Sequence, residues 1–302
     1  MRSIEKTDFI LNNTIAVKKV SQPSVLLAAS NSSLGLAADV YPGPQPISIE
    51  RKHFKHLKDP YVVGVKNDGE RFCLLFFCLD DVYTAALRSR KGDVYLLNVK
   101  ASKLLYNGTI LDGELVGNEF VIFDCPLYGG NDIQSESFTH RMEHVGFAID
   151  CIKRTHPMLE VKKKEFATMN EIPKLLNSSN CDGLVFMPVH HRVCTGTHQK
   201  MFKWKPLYQN TIDFAIKGNK VYLQNGGVLT EKRIKVHTDK LENVNPHLLS
   251  IVECIFISDK VWEALKVRTD KTLPNSTYTY SRTLVNLTEN IQPEEFICME
   301  CT

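Results

Sequence analysis

The chain has 302 residues, of which 43% are hydrophobic and 24% charged, and its formal net charge is +3. This length allows two domains with hydrophobic cores of their own, and the composition is that of an ordinary globular protein. The net charge is too small to indicate a nucleic-acid partner by itself. No apolar run approaches the length of a membrane-spanning helix, so we expect no membrane association.

The cysteine pattern bears on the cellular compartment. The chain has nine cysteines, an odd number, most of them inside apolar runs, and CxxC spacing occurs only at Cys298 and Cys301. This predicts reduced thiols in an intracellular protein. The first residues, "MRSIEKTDFILNN", carry charges within the apolar stretch and no cleavage-like site, so we expect no signal peptide.

Sequence patterns in the first third of the chain predict an extended entry, a helix and a β-hairpin. Residues 1–40 show no clear periodicity, and we assign them no role. "YPGPQPISIERKHF" predicts an extended Pro-rich entry followed by a helix that begins at Ser48. In "YVVGVKNDGERFCLLFF", two apolar runs flank the turn Lys66-Asn67-Asp68-Gly69. This predicts a β-hairpin, because Asp-Gly supplies the positive φ angles of tight hairpin turns.

The remaining elements indicate an α+β protein. Short apolar segments punctuated by Gly, Asn and Asp predict an antiparallel meander from Tyr61 to Phe123. Residues 136–176 have apolar side chains at three- and four-residue spacing and are predicted to be helical. Pro206 marks the expected domain boundary, after which short β segments occur at the spacing of a small barrel. An Asn-rich stretch, 275–290, leads into a final predicted helix, "QPEEFICME".

Charged side chains recur in pairs on single strand faces, because alternate residues of a strand point the same way. These pairs are Asp112 with Glu114, Lys203 with Lys205, and Arg268 with Asp270. One such pair alone is more typical of a solvated strand face. Together with the lysine of the predicted hairpin, they form the inventory for phosphate chemistry with a hard metal ion.

The order of these motifs supports a family resemblance. Lys66-x-Asp68-Gly69 followed by "LDGEL", "FVIFD", "DGLVF", "FKWKP" and "VRTDK" resembles the motif series of covalent nucleotidyltransferases. Within that superfamily the chain resembles mRNA-capping guanylyltransferases more than polynucleotide ligases. Three features carry this likeness: the entry "YPGPQPIS", Asp182 where ligases usually have Glu, and "WEALKVRTDKTLPNS". The likeness covers about residues 41–300 and is greatest with the compact single-chain enzymes of large DNA viruses.

The resemblance implies a domain plan. A nucleotidyltransferase domain built on antiparallel sheets with flanking helices is expected over residues 1–207. A C-terminal OB-fold β-barrel domain is expected over residues 208–302, with its last residues packed back on the first domain.

The resemblance also implies the chemistry. Lys66 would attack the α-phosphate of GTP, form lysyl-GMP and release pyrophosphate. A lysine of ordinary pKa is protonated at pH 7, so nearby cations and partial burial are needed to free its amine. Lys203, Lys205 and Mg²⁺ or Mn²⁺ would supply those cations, and Glu114 and Asp182 are the carboxylates expected near the metal.

Nucleotide contacts follow from the same resemblance. Arg71 is expected to contact the nucleotide and Arg90 the ribose, with Arg88 as an alternative. Phe123 is expected to stack on guanine. Lys164 would contact the guanine edge and favour GTP over ATP, although a solvated helix end explains its lysine run equally well.

Further expectations concern the C-terminal module and one departure from the family pattern. Arg268, Asp270 and Lys271 would contact the β- and γ-phosphates in a closed form, with Asp213 at the entry of the module. Asn67 replaces the family's usual small residue or Thr, and its side chain is expected to point away from the site.

The RNA substrate implied by the resemblance carries a 5′-diphosphate end, and its charge would make its binding sensitive to salt. A separate RNA triphosphatase and a cap methyltransferase are the expected partners. The nucleus, or a viral factory or virion for a viral protein, is the expected location.

Three other interpretations stay open. One is an ATP- or NAD-dependent polynucleotide ligase, and another is a non-catalytic RNA-binding relative. The third concerns "HHRVCTGTHQ", where His190, His191, Cys194 and His198 are possible zinc ligands, although no second ligand pair stands at finger spacing.

Overall fold

The computed structural model describes residues 5–177, 181–239, 241 and 247–297. Cys298 and Cys301 lie outside the described residues. The chain divides into two compact units: Met1–Ile47 with His56–Lys203, and Ser48–Lys55 with Trp204–Thr302. The short segment Ser48–Lys55 therefore belongs with the C-terminal part of the chain, although it precedes most of the first unit in sequence.

The first unit consists mainly of strands. Its strands are β1 Lys6–Leu11, β2 Ile15–Val20, β3 Pro44–Ser48, β4 Tyr61–Val65, β5 Glu70–Leu79, β6 Val82–Ser89, β7 Val94–Leu97, β8 Lys100–Ala101, β9 Thr109–Val116, β10 Glu119–Tyr128, β11 Asn131–Asp132, β12 Ile152–Arg154, β13 Glu160–Lys163, β14 Leu184–Pro188 and β15 Gly196–Trp204. Its α-helices are α1 Ser24–Asn31, α2 Lys103–Tyr106, α3 Phe138–Asp150 and α4 Ile172–Leu176.

A nine-stranded sheet forms the centre of this unit. Its order is β1-β2-β7-β6-β5-β9-β10-β11, and β13 pairs parallel to β10 beside this path. The central strand β5 is buried on both faces: Phe72, Leu74 and Phe76 join one hydrophobic cluster. Cys73, Leu75 and Phe77 join another. This is why the segment is an almost uninterrupted apolar run, since neither face of β5 meets water.

A second sheet of this unit has four strands, in the order β3-β15-β14-β4. The predicted hairpin over "YVVGVKNDGERF" is therefore wrong, because β4 pairs with β14 whereas β5 pairs with β6 and β9 of the large sheet. Residues 66–69 carry the chain from one sheet to the other. Gly69 is needed for space: a Cβ there would lie 2.6 Å from the Leu115 carbonyl oxygen.

The structure of this unit differs from two other expectations drawn from the sequence. Residues 136–176 contain helix α3, but strands β12 and β13 follow it, because 152–154 and 160–163 pair with β8 and β10. The first forty residues also have a structural place. Strands β1 and β2 form one edge of the large sheet, and Leu26 and Leu27 of α1 pack against its face.

The second unit contains a six-stranded sheet in the order β18-β17-β16-β20-β21-β19. Its elements are β16 Thr211–Lys217, β17 Lys220–Asn225, β18 Val228–Lys232, β19 Lys235–His237, β20 Ser250–Ser258, β21 Val261–Val267, α5 Thr277–Glu289 and α6 Glu294–Ile297. Alternate residues Ile212, Phe214 and Ile216 of β16 point into a core around the fully buried Trp262. In the described part of the chain, the ladders do not close this sheet into a barrel.

Most of the Asn-rich stretch 275–290, for which the sequence predicted no element, forms α5. Ser276 caps this helix by accepting a hydrogen bond from the Thr279 N–H, and Leu284 and Leu287 pack against the core of the unit. The α+β class itself is confirmed: mainly antiparallel sheets and separate helices make up both units. Among the described residues, no helix is both long and apolar enough to span a membrane.

A buried ion pair ties α3 to β10. Arg141 donates from Nε and Nη2 to the two carboxylate oxygens of Asp124 at 2.7 and 3.1 Å, and both side chains are almost fully buried. We expect Arg141→Met to lower the free energy of unfolding by about 3–5 kcal/mol, because it leaves the Asp124 carboxylate buried without its partner. Urea unfolding followed by circular dichroism measures this.

Lys162→Met is the matched control, because it removes an exposed ion pair with Glu119 of the same strand β10. Little change is expected from the control. Equal losses in the two variants would show that burial of the Asp124 pair is not what makes it important.

Candidate active site

A cleft of about 700 Å³ opens between the two sheets of the first unit. This volume suits a nucleotide-sized ligand. Its lining combines charged and apolar side chains and consists of Gln45, Pro46, Lys66, Gly69, Glu70, Arg71, Arg90, Lys91, Glu114, Phe123, Lys164, Phe166, Val185, Met187, Met201 and Lys203.

Lys66 is held at the end of β4 by backbone bonds to the segment before β14. The Lys66 N–H donates to the Gly183 carbonyl at 2.8 Å, and the Asp182 N–H donates to the Lys66 carbonyl at 3.0 Å. The Lys66 ammonium also donates to the Asp182 carboxylate. The lysine and fourth-motif carboxylate predicted from sequence therefore form a direct ion pair, and the direct partner of Lys66 is an anion.

Glu114, in β9, contacts the segment that follows Lys66. Its Oε1 accepts a hydrogen bond from the Gly69 N–H at 3.2 Å. Burial raises the pKa of the Glu114 carboxyl, whereas the charges of Lys66 and Lys164 oppose that shift. Glu114 and Asp112 alternate with Leu111 and Leu115, which lie in the core, as the strand pattern predicts.

Arg71 is fixed on β5 by the buried Asp112. Its Nε donates to Asp112 Oδ1 at 2.9 Å, and its Nη1 donates to the Pro44 carbonyl at 2.7 Å. The guanidinium lies between the rings of Tyr41 and Phe123, 5.4 and 5.1 Å from their centroids. This arrangement fixes the direction in which Arg71 faces the cleft.

The "YPGPQP" entry is built around this arginine. A Cβ at Gly43 would lie 2.2 Å from Asp112 Oδ2 and 2.7 Å from Arg71 Nη2, so only glycine fits there. Tyr41 donates its hydroxyl to Asp112 Oδ1 at 3.2 Å. The entry motif therefore packs against the ion pair that holds Arg71.

The apolar end of the cleft is formed by Phe123, Phe166, Val185, Met187 and Met201. An aromatic ring among aliphatic side chains suits a stacked base. Sequence analysis identified Phe123 alone. The alternation of β15 offered a signal for Met201, because residues 201 and 203 share a face of that strand.

Lys164 follows strand β13 directly, so its interpretation as a solvated helix end is wrong. Its side chain is almost fully buried, and its Nζ lies 5.9 Å from the Phe123 ring centroid. Burial lowers the pKa of Lys164 to about 8, with Glu114 opposing and Lys66 adding to the shift. A buried ammonium is thus placed beside the apolar end of the cleft.

The Asn67 side chain does not point away from the site. Its Oδ1 accepts a hydrogen bond from Lys164 Nζ at 2.6 Å. The prediction assumed a regular strand through Lys66, in which residue 67 would face the opposite side. The chain instead leaves β4 at residue 65 and crosses between the sheets, which turns Asn67 toward Lys164.

The two arginine candidates for a ribose contact occupy different environments. Arg88 is buried in β6, where it donates to Asn31 Oδ1 at 3.1 Å and to the Ala38 carbonyl at 3.0 Å. Arg90 follows the end of β6 and lines the cleft. The structure therefore places Arg90, and not Arg88, where a ligand could meet it.

The two lysines of "FKWKP" are divided between the units. Lys203 is in β15 and lines the cleft. Lys205 follows the end of that strand and belongs to the second unit. Its role at the cleft stays a prediction.

Residues predicted to act from the C-terminal module form a charged cluster within the second unit. Arg268 donates to both carboxylate oxygens of Asp270 at 2.9 and 2.8 Å and to Asp213 Oδ1 at 3.2 Å. Lys271 also pairs with Asp213, which is buried in β16. The cluster holds two cationic side chains against carboxylates, and its role in nucleotide contact stays a prediction.

The carboxylates of the cleft fit a divalent cation that keeps much of its coordination for water and phosphate. The charge of Lys66 acts on Glu114, and Lys66 donates a hydrogen bond to Asp182. Both carboxylates therefore offer hard oxygen donors near Lys66. No group of three or more His, Cys, Asp or Glu side chains able to hold a metal occurs within the described ranges. Phosphate oxygens of the substrate would therefore have to complete the coordination.

The histidine-rich segment 190–199 is occupied by local bonds. His198 Nε2 lies 3.1 Å from the Arg192 carbonyl, and its Nδ1 accepts from the Lys200 N–H at 3.2 Å. His191 Nε2 lies 3.2 Å from Lys200 Nζ. Both ring nitrogens of His198 thus have protein partners.

This fold and this cleft, with a paired lysine, carboxylates and flanking cations, define a nucleotidyltransferase. The chain belongs to the mRNA capping enzyme family. The model of the catalytic domain of mRNA capping enzymes matches residues 11–207, and the model of their C-terminal domain matches residues 198–297. The match includes residues 11–40, which the sequence analysis left without a role.

Curated relatives agree with this family. The mRNA-capping enzyme subunit alpha of Schizosaccharomyces pombe is 27% identical over 93% of this chain and 87% of its own length. The mRNA-capping enzymes of Mus musculus and Danio rerio are each 25% identical, over 85% and 78% of this chain. The chain spans about half the length of these animal relatives, 49% and 45%.

Two solved ligase structures show a weak likeness to this chain. The ATP-dependent DNA ligase of bacteriophage T7 in complex with ATP has a TM-score of 0.42 and 14% identity, over 78% of this chain and 98% of its own. Chlorella virus DNA ligase-adenylate has a TM-score of 0.36 and 10% identity, over 76% and 100%. Likenesses of this size carry no weight for function.

The environments of the two arginines predict different mutant phenotypes. We expect Arg90→Ala to weaken nucleotide binding about tenfold without changing thermal stability, because it removes one charged contact from the cleft. Arg88→Met is expected to lower the free energy of unfolding by about 1–3 kcal/mol, because it leaves the Asn31 and Ala38 oxygens unpaired. Calorimetric nucleotide titration and thermal unfolding of both variants measure this. Loss of affinity confined to Arg88→Met would reverse the assignment.

Proposed function

We propose that the protein is an mRNA 5′-cap guanylyltransferase that works through a covalent lysyl-GMP intermediate. The observation that carries this proposal is Lys66 at the wall of the cleft, ion-paired to Asp182 and surrounded by Glu114, Arg71, Lys164 and Lys203. The family assignment supports capping, and the buried ammonium of Lys164 beside the apolar end of the cleft supports a guanine base.

In the first step, Lys66 Nζ attacks the α-phosphorus of GTP. An N–P bond forms, the bond from the α-phosphorus to the bridging oxygen breaks, and pyrophosphate leaves. The attacking amine must lose a proton, and the Asp182 carboxylate in contact with it is positioned to accept one. Arg71 and Lys203 line the cleft on opposite sheets, where they can bind phosphate oxygens and stabilise the charge that develops on them.

Base and ribose would be held by other side chains of the cleft. Phe123 offers its ring for stacking, Lys164 an ammonium for the base edge, and Arg90 a guanidinium for the ribose. A Mg²⁺ or Mn²⁺ ion at Glu114 and Asp182 would supply positive charge to the α-phosphate. These contacts are the binding interactions that would favour GTP in this cleft.

In the second step, a β-phosphate oxygen of RNA with a 5′-diphosphate end attacks the phosphorus of lysyl-GMP. The N–P bond breaks, the lysine recovers its proton, and GMP is joined to the RNA end. Arg268, Asp270 and Lys271 would act on the β- and γ-phosphates during the first step.

A separate RNA triphosphatase and a cap methyltransferase would act before and after this enzyme. The subunit designation of the Schizosaccharomyces pombe relative supports such partners. We place the activity where mRNA is capped, in the nucleus or, for a viral protein, in the virus factory or virion.

Covalent labelling tests the first step. Incubation with α-³²P-GTP and Mg²⁺ or Mn²⁺, followed by denaturing electrophoresis, should label the wild type. Label should be absent in Lys66→Ala, because this variant lacks the proposed nucleophile. Lys174→Ala is the matched control, since Lys174 is exposed on α4 and does not line the cleft.

The same experiment separates the alternatives. Labelling from ATP and not from GTP would show a ligase-type nucleotide preference and refute the capping proposal. Absence of label from both nucleotides would favour a non-catalytic RNA-binding relative. Omission of the divalent cation should abolish labelling of the wild type.

The chemistry of the second step predicts which RNA ends are accepted. We expect transfer of label to RNA with a 5′-diphosphate end, and little transfer to triphosphate-ended RNA without an added triphosphatase. Thin-layer chromatography of nuclease-digested RNA measures the cap formed. Efficient capping of triphosphate-ended RNA by the purified chain would refute the need for a separate triphosphatase.

A further inference from the structure

The side chain of Asn67 joins the segment that carries Lys66 to the buried Lys164. The Asn67 Oδ1 accepts from Lys164 Nζ at 2.6 Å, and the Asn67 backbone carbonyl lies 3.5 Å from Lys66 Nζ. Residue 67 therefore contacts two lysines of the cleft, Lys66 with its backbone and Lys164 with its side chain.

Backbone bonds of the adjoining residue hold the segment that carries Asn67. The adjoining residue Lys66 is bonded through both its N–H and its carbonyl to the segment before β14. An acceptor attached to this segment can hold a long lysine side chain in one place. This acceptor adds to the burial of Lys164 and to its contact with the Phe123 ring in restricting the four-carbon stem, so less conformational entropy is lost when a base binds.

The hydrogen bond between Asn67 and Lys164 bears on which base the cleft binds. An ammonium has three donors and no acceptor, and the bond to Asn67 uses one donor. A donor fixed beside the base favours a purine with a 6-oxo group, which accepts a hydrogen bond. It disfavours a 6-amino group, which donates.

We propose that Asn67 is a positioning residue for base selection, which holds the Lys164 ammonium where it discriminates 6-oxopurine from 6-aminopurine nucleotides. This inference rests on the proposed function for the identity of the nucleotide. It goes beyond that function in assigning the selectivity to a pair of residues, one of which departs from the family pattern.

Equilibrium binding of GTP, ITP and ATP tests the proposal, measured by calorimetry with EDTA present so that no transfer occurs. Asn67→Leu keeps the size of the side chain and removes the acceptor. We expect it to weaken GTP and ITP binding about tenfold each, the scale of one lost charge-assisted contact, and to leave ATP binding unchanged. ITP is included because it has the 6-oxo group and lacks the 2-amino group of guanine.

Two further variants distinguish positioning from a structural role. Asn67→Asp keeps an acceptor and should retain the preference for GTP over ATP. In a Lys164→Met background, Asn67→Leu should cause no additional loss of GTP binding, because its effect passes through Lys164. Asn98→Leu is the matched control, since it removes an amide that accepts from Arg154 outside the cleft.

Equal losses for all three nucleotides, or additive losses in the double variant, would overturn the proposal. Labelling from α-³²P-GTP distinguishes failure of the role of Asn67 from failure of the proposed function. If the wild type takes label and Asn67→Leu binds the three nucleotides as the wild type does, only the role of Asn67 is refuted. A wild type that takes no label would refute guanylyl transfer, while the three nucleotide affinities would still decide the role of Asn67.

Discussion

The active-site cleft depends on the crossover between two sheets at residues 66–69. Reciprocal backbone bonds tie Lys66 to the segment Asp182–Gly183, and the next residues enter the large sheet beside β9. This crossover places the Lys66 amine against the Asp182 carboxylate and brings Glu114 to within hydrogen-bonding distance of Gly69. If residues 66–69 closed a hairpin, both strands would lie in one sheet, and the lysine would not stand between two.

The cationic side chains of the cleft are held by partners from other segments of the chain. Asp112 holds Arg71, Asp182 holds Lys66, and Asn67 holds Lys164. Each cationic side chain is thus oriented before a phosphate arrives, which lowers the conformational entropy lost on binding. A nucleoside triphosphate would bring further negative charge to these lysine and arginine side chains. Glu114 and Asp182 would share a metal ion with its phosphates.

The cleft could be predicted from sequence only in part. Period-two patterning correctly placed Asp112 and Glu114 opposite Leu111 and Leu115, because a strand fixes which side chains share a face. It could not tell Arg88 from Arg90, since the strand ends at Ser89 and the alternation ends with it. Asn67 was misplaced for the same reason, and Gly69 was attributed to backbone dihedrals when close approach of β9 requires it.

The sequence by itself determined the α+β class and the order of the motifs, because these depend on local periodicity and on residue types in a fixed order. Only the tertiary structure decided that β4 and β5 lie in different sheets and that Ser48–Lys55 belongs with the C-terminal unit. It also decided which polar atoms meet across the cleft. Strand pairing between distant segments sets these contacts, and a pattern within one segment does not specify its partner.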